Sequence, residues 1–421
     1  NEIIESENQD ENAKSYNSQN QGSQNQGYQN QVYQNQRAQS QTEQIQQQDN
    51  QENNSFLSDG FLSGMLKTSP AYTNKMLNWQ HYVTGKQEII LNSRQNKSIK
   101  TNRIYINGTL KASLMGEISN EENKFPILSR FPFQHSGTDG SRAVINNSAL
   151  AFTATPNEYS TLFTQIEYSE LEYPGQDDLQ LRKIYAVFGN LAVSPIYLMI
   201  GRNTIDFGDM DSYNPFTHSV NNHFFNAVSD DPIVALGATD DNYHLVLTAI
   251  NGGRQIRVAD TKSGAHINNF AGYFDFKFPI GDVGKLKIGG SYLHGTIYNA
   301  DVAHHTDEVK LTATQFKRNP AFGGFVEFTS KYLDLMAEYT QTGRDWLATG
   351  DTVQAITGQA AIKSDISNIP FRFSAGYGLG VQGPEGTEFE KLEQAVAGVE
   401  AQVDDNLMIG AEYVYNKGFV S

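Results

Sequence analysis

From Arg103 onward the chain alternates. Ile104, Ile106, Gly108, Leu110, Ala112, Leu114, Gly116 and Ile118 are apolar or Gly, and Tyr105, Asn107, Thr109, Lys111, Ser113 and Glu117 lie between them. A period of two sends successive side chains to opposite faces of a strand, so one face meets an apolar phase and the other a wet one. The rhythm recurs in fifteen segments, at 103–119, 147–155, 161–171, 181–190, 195–203, 233–239, 243–251, 270–278, 285–295, 321–329, 332–341, 354–363, 369–380, 393–403 and 407–415. Tight connections rich in Pro, Gly, Asn and Asp follow the even-numbered segments, at 156–160, 191–194, 240–242, 279–284, 330–331, 364–368 and 404–406. Longer loops follow the odd-numbered ones. A soluble sandwich has no need of that asymmetry, whereas an outer-membrane barrel has short periplasmic turns and long outer loops. The expected fold class is all-β: a transmembrane antiparallel β-barrel. Such barrels have an even strand number, so about sixteen strands are expected natively, fifteen of them visible, with the last beyond residue 421.

The two faces can be assigned residue by residue. Phe270, Gly272, Phe274, Phe276 and Phe278 alternate with Ala271, Tyr273, Asp275 and Lys277; Leu333, Leu335, Ala337 and Tyr339 alternate with Asp334, Met336, Glu338 and Thr340. Phe371, Phe373, Ala375, Tyr377 and Leu379 alternate with Arg372, Ser374, Gly376 and Gly378. The greasy face is the lipid face. An Arg or Lys turned to lipid near the midplane costs about 2–4 kcal/mol, so the charged face turns inward. Lys111, Glu117, Gln165, Glu167, Lys277, Glu327, Asp334, Glu338, Lys363, Arg372, Glu400 and Glu412 are thereby the expected lumen residues.

Composition narrows the function. No run of about 18 apolar residues occurs, so no transmembrane helix is expected, and a mean hydropathy of -0.50 is compatible with a barrel, which shows lipid only alternate residues. The absence of cysteine removes disulfides, thiolate metal sites and cysteine nucleophiles. A net charge of -16 argues against nucleic acid as a partner. The chain starts at Asn1 with no charged-then-apolar leader, as expected of a processed secreted protein. Residues 1–55 are Gln- and Asn-rich and repeat in fives, as in Gly22-Ser-Gln-Asn-Gln and Gly27-Tyr-Gln-Asn-Gln. They hold too little apolar surface to offset chain entropy and are expected to be a disordered periplasmic tail, a tether or spacer with a possible periplasmic partner. Residues 56–102 are expected to be a linker, with one short amphipathic helix around Phe56-Leu57, Phe61-Leu62 and Met65-Leu66, resting on the membrane or plugging the lumen. Residues 103–421 are the barrel.

Candidate chemistry gathers in the loop from Asn203 to Pro232. It holds Asp206, Asp209, Asp211, His218, His223, Asp230 and Asp231, with Arg202 just before it. This is the best candidate for an inward-folded constriction or a ligand site, and carboxylate with imidazole suits iron; His218, His223, Asp230 and Asp231 are the candidate metal ligands. Lys111, Arg202, Asp206, Asp209, Asp211, Lys277, Asp334, Glu338 and Arg372 are the candidate pore-lining or cargo-binding residues. The loop from Thr296 to Pro320 carries Asp301, His304, His305, Asp307 and Glu308, and solvated surface is its default reading. Catalysis finds no partnered Ser, His and Asp set, no zinc-helix motif and no phosphate-cradling loop, so no enzyme and no cofactor are expected.

The stretch Ile196-Tyr-Leu-Met-Ile-Gly-Arg-Asn-Thr-Ile-Asp-Phe-Gly-Asp-Met-Asp-Ser-Tyr-Asn-Pro-Phe-Thr-His218, with the first strand Ile106-Asn-Gly-Thr-Leu-Lys-Ala-Ser-Leu-Met-Gly-Glu-Ile118, resembles the siderophore-porin family of the legiobactin-receptor type, with its related Francisella uptake proteins. The resemblance covers about residues 103–421. It implies a sixteen-stranded barrel without a separate plug domain that admits iron across the outer membrane, as a ferric siderophore or as ferrous ion. The Gln/Asn repeat departs from that family's pattern, which has a periplasmic coiled coil there. The expected function is an outer-membrane iron-uptake porin, with lipid and iron or its siderophore complex as partners. The rival reading is a surface adhesin or structural barrel.

Overall fold

The computed structural model describes residues 66–120, 137–171, 178–229, 231–252, 266–299, 318–386 and 390–418. The chain divides into Asn1–Gly64 and Met65–Ser421, and the second unit carries everything below. The Gln/Asn tail, Asp230 and the loop residues Asp301 to Glu308 lie outside the described residues.

One sheet of sixteen strands dominates, with every strand paired to its sequence neighbours. β1 (Leu66–Lys67) has two residues and runs parallel to β2, Leu66 beside Ile104. The others are long and antiparallel: β2 (Arg103–Ile118), β3 (Asp139–Thr155), β4 (Ser160–Tyr168), β5 (Leu179–Phe188), β6 (Ile196–Arg202), β7 (Ile233–Thr239), β8 (Tyr243–Gly252), β9 (His266–Ile280), β10 (Gly284–Leu293), β11 (Ala321–Ser330), β12 (Leu333–Asp345), β13 (Thr352–Ile366), β14 (Ile369–Val381), β15 (Lys391–Asp404) and β16 (Leu407–Gly418). The fifteen expected strands are the fifteen long ones, β2 to β16, and the two-residue β1 brings the sheet to sixteen. β3 starts well before the expected 147, because its polar head Asp139 to Arg142 continues the ladder against Met115 to Ile118.

The sheet curls into the expected barrel. Neighbouring residues of one helix touch both ends of it: the Thr73 hydroxyl donates to Asn107 of β2 at 2.7 Å, and Asn74 donates to the Asp405 carbonyl in the turn between β15 and β16 at 3.2 Å. The expected faces hold. Phe274 is 45% exposed while its neighbour Asp275 is 2% exposed, and the greasy positions of β2, β12 and β14 likewise face out.

The segment expected as a linker carries two helices, α1 (Pro70–Met76) and α2 (Lys86–Gln95); the apolar cluster from Phe56 to Met65, expected to form one, lies outside the described residues. Pro70 opens α1, where its missing N–H costs nothing, and Lys75 sits in the last turn against the helix dipole. α2 buries Lys86, Gln87, Ile89, Ile90, Leu91 and Ser93, nearly its whole circumference. A ten-residue helix is marginal alone, so the surrounding wall holds it. Tyr72 bonds to Thr153 of β3 at 3.0 Å, and Arg94 donates to the Ser160 carbonyl and Thr161 at 2.9 and 2.8 Å. These contacts place α1 and α2 inside the barrel at its tight-turn end, a small internal plug where the resemblance implied no separate plug domain.

Candidate functional site

The connection from Asn203 to Pro232 runs into the lumen, and carboxylates clamp it there by pairs of backbone N–H groups. Glu338 on β12 accepts from Asp209 and Met210 at 2.9 and 3.0 Å; Glu412 on β16 accepts from Phe216 and Thr217 at 2.9 and 3.0 Å. The loop supplies two such clamps of its own to the plug. Asp211 accepts from Tyr82 and Val83, both at 2.9 Å, and Asp206 accepts from Gly85 at 2.7 Å and the Gln87 amide at 2.6 Å. A buried N–H left without an acceptor costs about 1–3 kcal/mol, so these paired acceptors help define the loop path.

Two backbone features let the loop turn so tightly. Gly208 has φ +71° and donates to the Ser291 hydroxyl at 2.9 Å, and a Cβ there would meet Glu338 Oε1 at 2.4 Å. Beyond it, Ser219 caps α3 (Val220–Phe225) by accepting from the Asn222 N–H. α3 lies on the inner face of β14 where glycines leave room: a Cβ at Gly378 would meet Val220 at 2.5 Å, and one at Gly380 would meet the Phe224 ring at 1.5 Å. Asn221 bonds to Thr340 and to the Ala355 carbonyl at 3.1 and 3.2 Å, so polar wall residues also fit the loop.

Most candidate lumen charges are paired inside the barrel. Asp209 meets Lys287 at 3.0 Å, and Lys287 also holds Glu327 at 2.7 Å. Lys277 bonds to Glu88 of α2 at 2.6 Å, Asp334 to Lys363 at 2.7 Å, and Arg372 to Glu400 at 3.3 Å. Lys111 donates to the Pro215 carbonyl at 2.7 Å and lies over the rings of Trp79 and Phe216. Arg202 sits at the strand end and donates to the Leu181 carbonyl at 2.9 Å. Asp230 lies outside the described residues, and the other three candidate metal ligands have separate neighbours. His218 packs edge-on against Trp79 at 4.6 Å, His223 lies in α3 beside the Phe224 ring, and the Asp231 carbonyl accepts from Ser229. Among the described residues no three His, Asp or Glu side chains converge as metal ligands.

The plug residues were missed in the sequence. Glu88 stands 3.6 Å from His244, whose other ring nitrogen is 2.7 Å from the Tyr197 hydroxyl, and it also takes a bond from Thr239 at 3.1 Å. Lys287 was missed too, although it lies opposite Leu286 and Ile288 in an alternating segment that points it inward.

Burial raises the loop carboxyls. Asp209 is pushed up to about 6, and Asp211, which also feels the Asp209 charge, up to about 8. The docked loop therefore binds protons that a released loop gives up, and docking weakens as pH rises from the ordinary carboxylate range through about 8. His81 beside Asp211 is pushed to its neutral side by burial and by the Arg372 and Lys111 charges, so it opposes docking only at the acid end. Lys287 and Glu327 are the wall charges at Asp209. We expect protease access to the loop in the purified barrel to rise from pH 6.5 to pH 9, roughly across that window. Equal digestion at both would mean the carboxyls titrate without moving the loop.

No family model matches the chain, and no curated protein does. Similar solved structures are outer-membrane porins and channels. The DcaP channel of Acinetobacter baumannii is 14% identical over 75% of this chain and 94% of its own, with a TM-score of 0.46. An anion-selective porin of Comamonas acidovorans is 8% identical over 75% of this chain and 89% of its own, with a TM-score of 0.49. OmpT of Vibrio cholerae is 13% identical over 76% of this chain and 89% of its own, with a TM-score of 0.48. The likeness is loose, and the barrel assignment rests on the strands, register and faces described above.

Proposed function

We propose that the protein is an outer-membrane channel closed at rest by two of its own segments, the α1 and α2 plug from the tight-turn end and the 203–232 loop from the other. The observation that carries this reading is their meeting inside the barrel, where Asp206 and Asp211 of the loop hold the backbone of Tyr82, Val83 and Gly85. Contacts made by hydrogen bonds to carboxylates can be exchanged for water, so the two segments can part without unfolding the wall. Iron is the cargo we infer, as a ferric siderophore or as ferrous ion; the family resemblance of β2 and of residues 196–218 supports it, together with a charge-lined interior. Uptake of radiolabelled iron in both forms, by cells with and without the protein, tests this. If neither uptake changes, a surface adhesin or structural barrel takes its place.

The Gln/Asn tail is in this reading a periplasmic tether. Deleting residues 1–55 removes none of the described strands, and the truncated barrel is expected to fold with the same heat-modifiable migration as the full chain. Loss of that migration would make the tail part of the folding unit.

A further inference from the structure

Six residues other than glycine have positive φ among the described residues, and four of them stand where turns and element ends allow it: Lys97 after α2, Asn102 before β2, and Ser367 with Asn368 in the tight turn between β13 and β14. Tyr82 at +58° and Met210 at +62° do not. They lie on opposite sides of the contact between plug and loop, each close in sequence to a left-handed glycine, Gly85 at +69° and Gly208 at +71°. A side chain on a left-handed backbone crowds the next carbonyl, and such a residue persists only where its surroundings over-determine it.

The carboxylate clamps supply that hold. Consecutive N–H groups converge on an anion where a left-handed residue adjoins one of ordinary hand. Tyr82 adjoins Val83, and the pair donates to Asp211, both at 2.9 Å; Met210 adjoins Asp209, and the pair donates to Glu338 at 3.0 and 2.9 Å. Neither Val83 nor Asp209 has positive φ. Tyr82 is 44% exposed, so burial of its ring is a minor hold on its backbone. Gly85 and Gly208 likewise donate to distant side chains, Asp206 at 2.7 Å and Ser291 at 2.9 Å. The clamp of Glu412 on Phe216 and Thr217 uses no left-handed residue and carries no such load.

We infer that the contact between plug and loop is a strain-loaded latch. The Tyr82 and Met210 backbones are held left-handed only while Asp211 and Glu338 fill the pockets their N–H groups form, and each returns to ordinary hand when its carboxylate leaves. That return carries the neighbouring N–H away, so a parted latch stays parted until both residues turn back, while the loop keeps its unstrained anchor at Glu412. The inference rests on the channel reading, to which it adds what drives the two segments apart.

Amide hydrogen exchange at Ser212 in the purified full chain tests it, because the Ser212 N–H donates to the Gln80 carbonyl at 2.9 Å across the same contact and every variant leaves both residues in place. Tyr82→Gly and Tyr82→Ala both lose the ring and differ in what a left-handed backbone costs them. Tyr82→Gly should exchange about fivefold or more slower than Tyr82→Ala, with Tyr82→Asn between them. Gly85→Ala should exchange about fivefold or more faster than wild type. Its methyl would come no closer than 3.9 Å to Glu88 and His244, so it adds backbone strain and not a collision. Ser367→Gly, which relieves a φ of +53° in a wall turn, should leave the rate unchanged. Heat-modifiable migration checks folding, and if Gly85→Ala does not fold the Tyr82 series decides. Equal exchange in Tyr82→Gly and Tyr82→Ala, or in wild type and folded Gly85→Ala, would overturn the latch. Single-channel recording of the same preparations separates the two readings: conductance with equal exchange in all variants leaves the channel and removes the latch, and the expected order of exchange in a barrel that never conducts does the reverse.

Discussion

Gly380→Ala should open the barrel. The added methyl would lie 1.5 Å from the Phe224 ring, which is 2% exposed and cannot yield without taking α3 with it. The strain is one of space and not of backbone, because Gly380 has no positive φ. A displaced Phe gives up its burial, about 1.5–3 kcal/mol, while the wall keeps its ladder from Gln354↔Val381 to Ile366↔Ile369. The expected result in planar bilayers is a conductance several times that of wild type, with the barrel still heat-modifiable. The second change Phe224→Ala makes room for the methyl, and the double variant should return toward wild-type conductance. Unaltered conductance in folded Gly380→Ala would mean that α3 does not obstruct the pore; failure of Phe224→Ala to suppress an opening would mean that another contact holds it.

Much of the wall was legible in the chain, and little of what fills it. Alternation reports the contrast between lipid and a polar lumen, and that contrast is sharp at Phe274 against Asp275 or Leu335 against Asp334. It fades where a ladder leaves the membrane, as at Asp139 to Arg142, whose pairing with β2 needs no apolar face. α2 is invisible for the opposite reason. Its sequence Lys-Gln-Glu-Ile-Ile-Leu-Asn-Ser-Arg-Gln reads as a polar segment with a short apolar run, yet it is buried because the cavity around it is itself polar and meets Lys86, Gln87 and Glu88 with bonding partners. Hydropathy sees burial only against an oily neighbour. The clamps are hidden by distance along the chain: Asp211 finds Tyr82 across 129 positions and Glu338 finds Asp209 across another 129, and no local spacing announces such a pair.

The carboxylate clamps also separate two ways in which the interior could open. Asp211→Ala leaves the Tyr82 and Val83 N–H groups without their acceptor, and an unmet buried donor costs about 1–3 kcal/mol. Glu338→Ala does the same to Asp209 and Met210. The first cut frees the loop from the plug; the second frees it from the wall. If the loop and plug move as one body, Asp211→Ala should change conductance little and Glu338→Ala should raise it strongly. If the loop lifts off a stationary plug, both should raise the frequency of openings, by roughly tenfold for each 1.4 kcal/mol lost. Asp211→Asn keeps one acceptor oxygen and should fall between wild type and Asp211→Ala. The channel of closed interior segments requires at least one of the two alanine variants to gate more often than wild type. Identical gating in all of them, at matched insertion, would show that the loop is fixed and that solute must pass by another route.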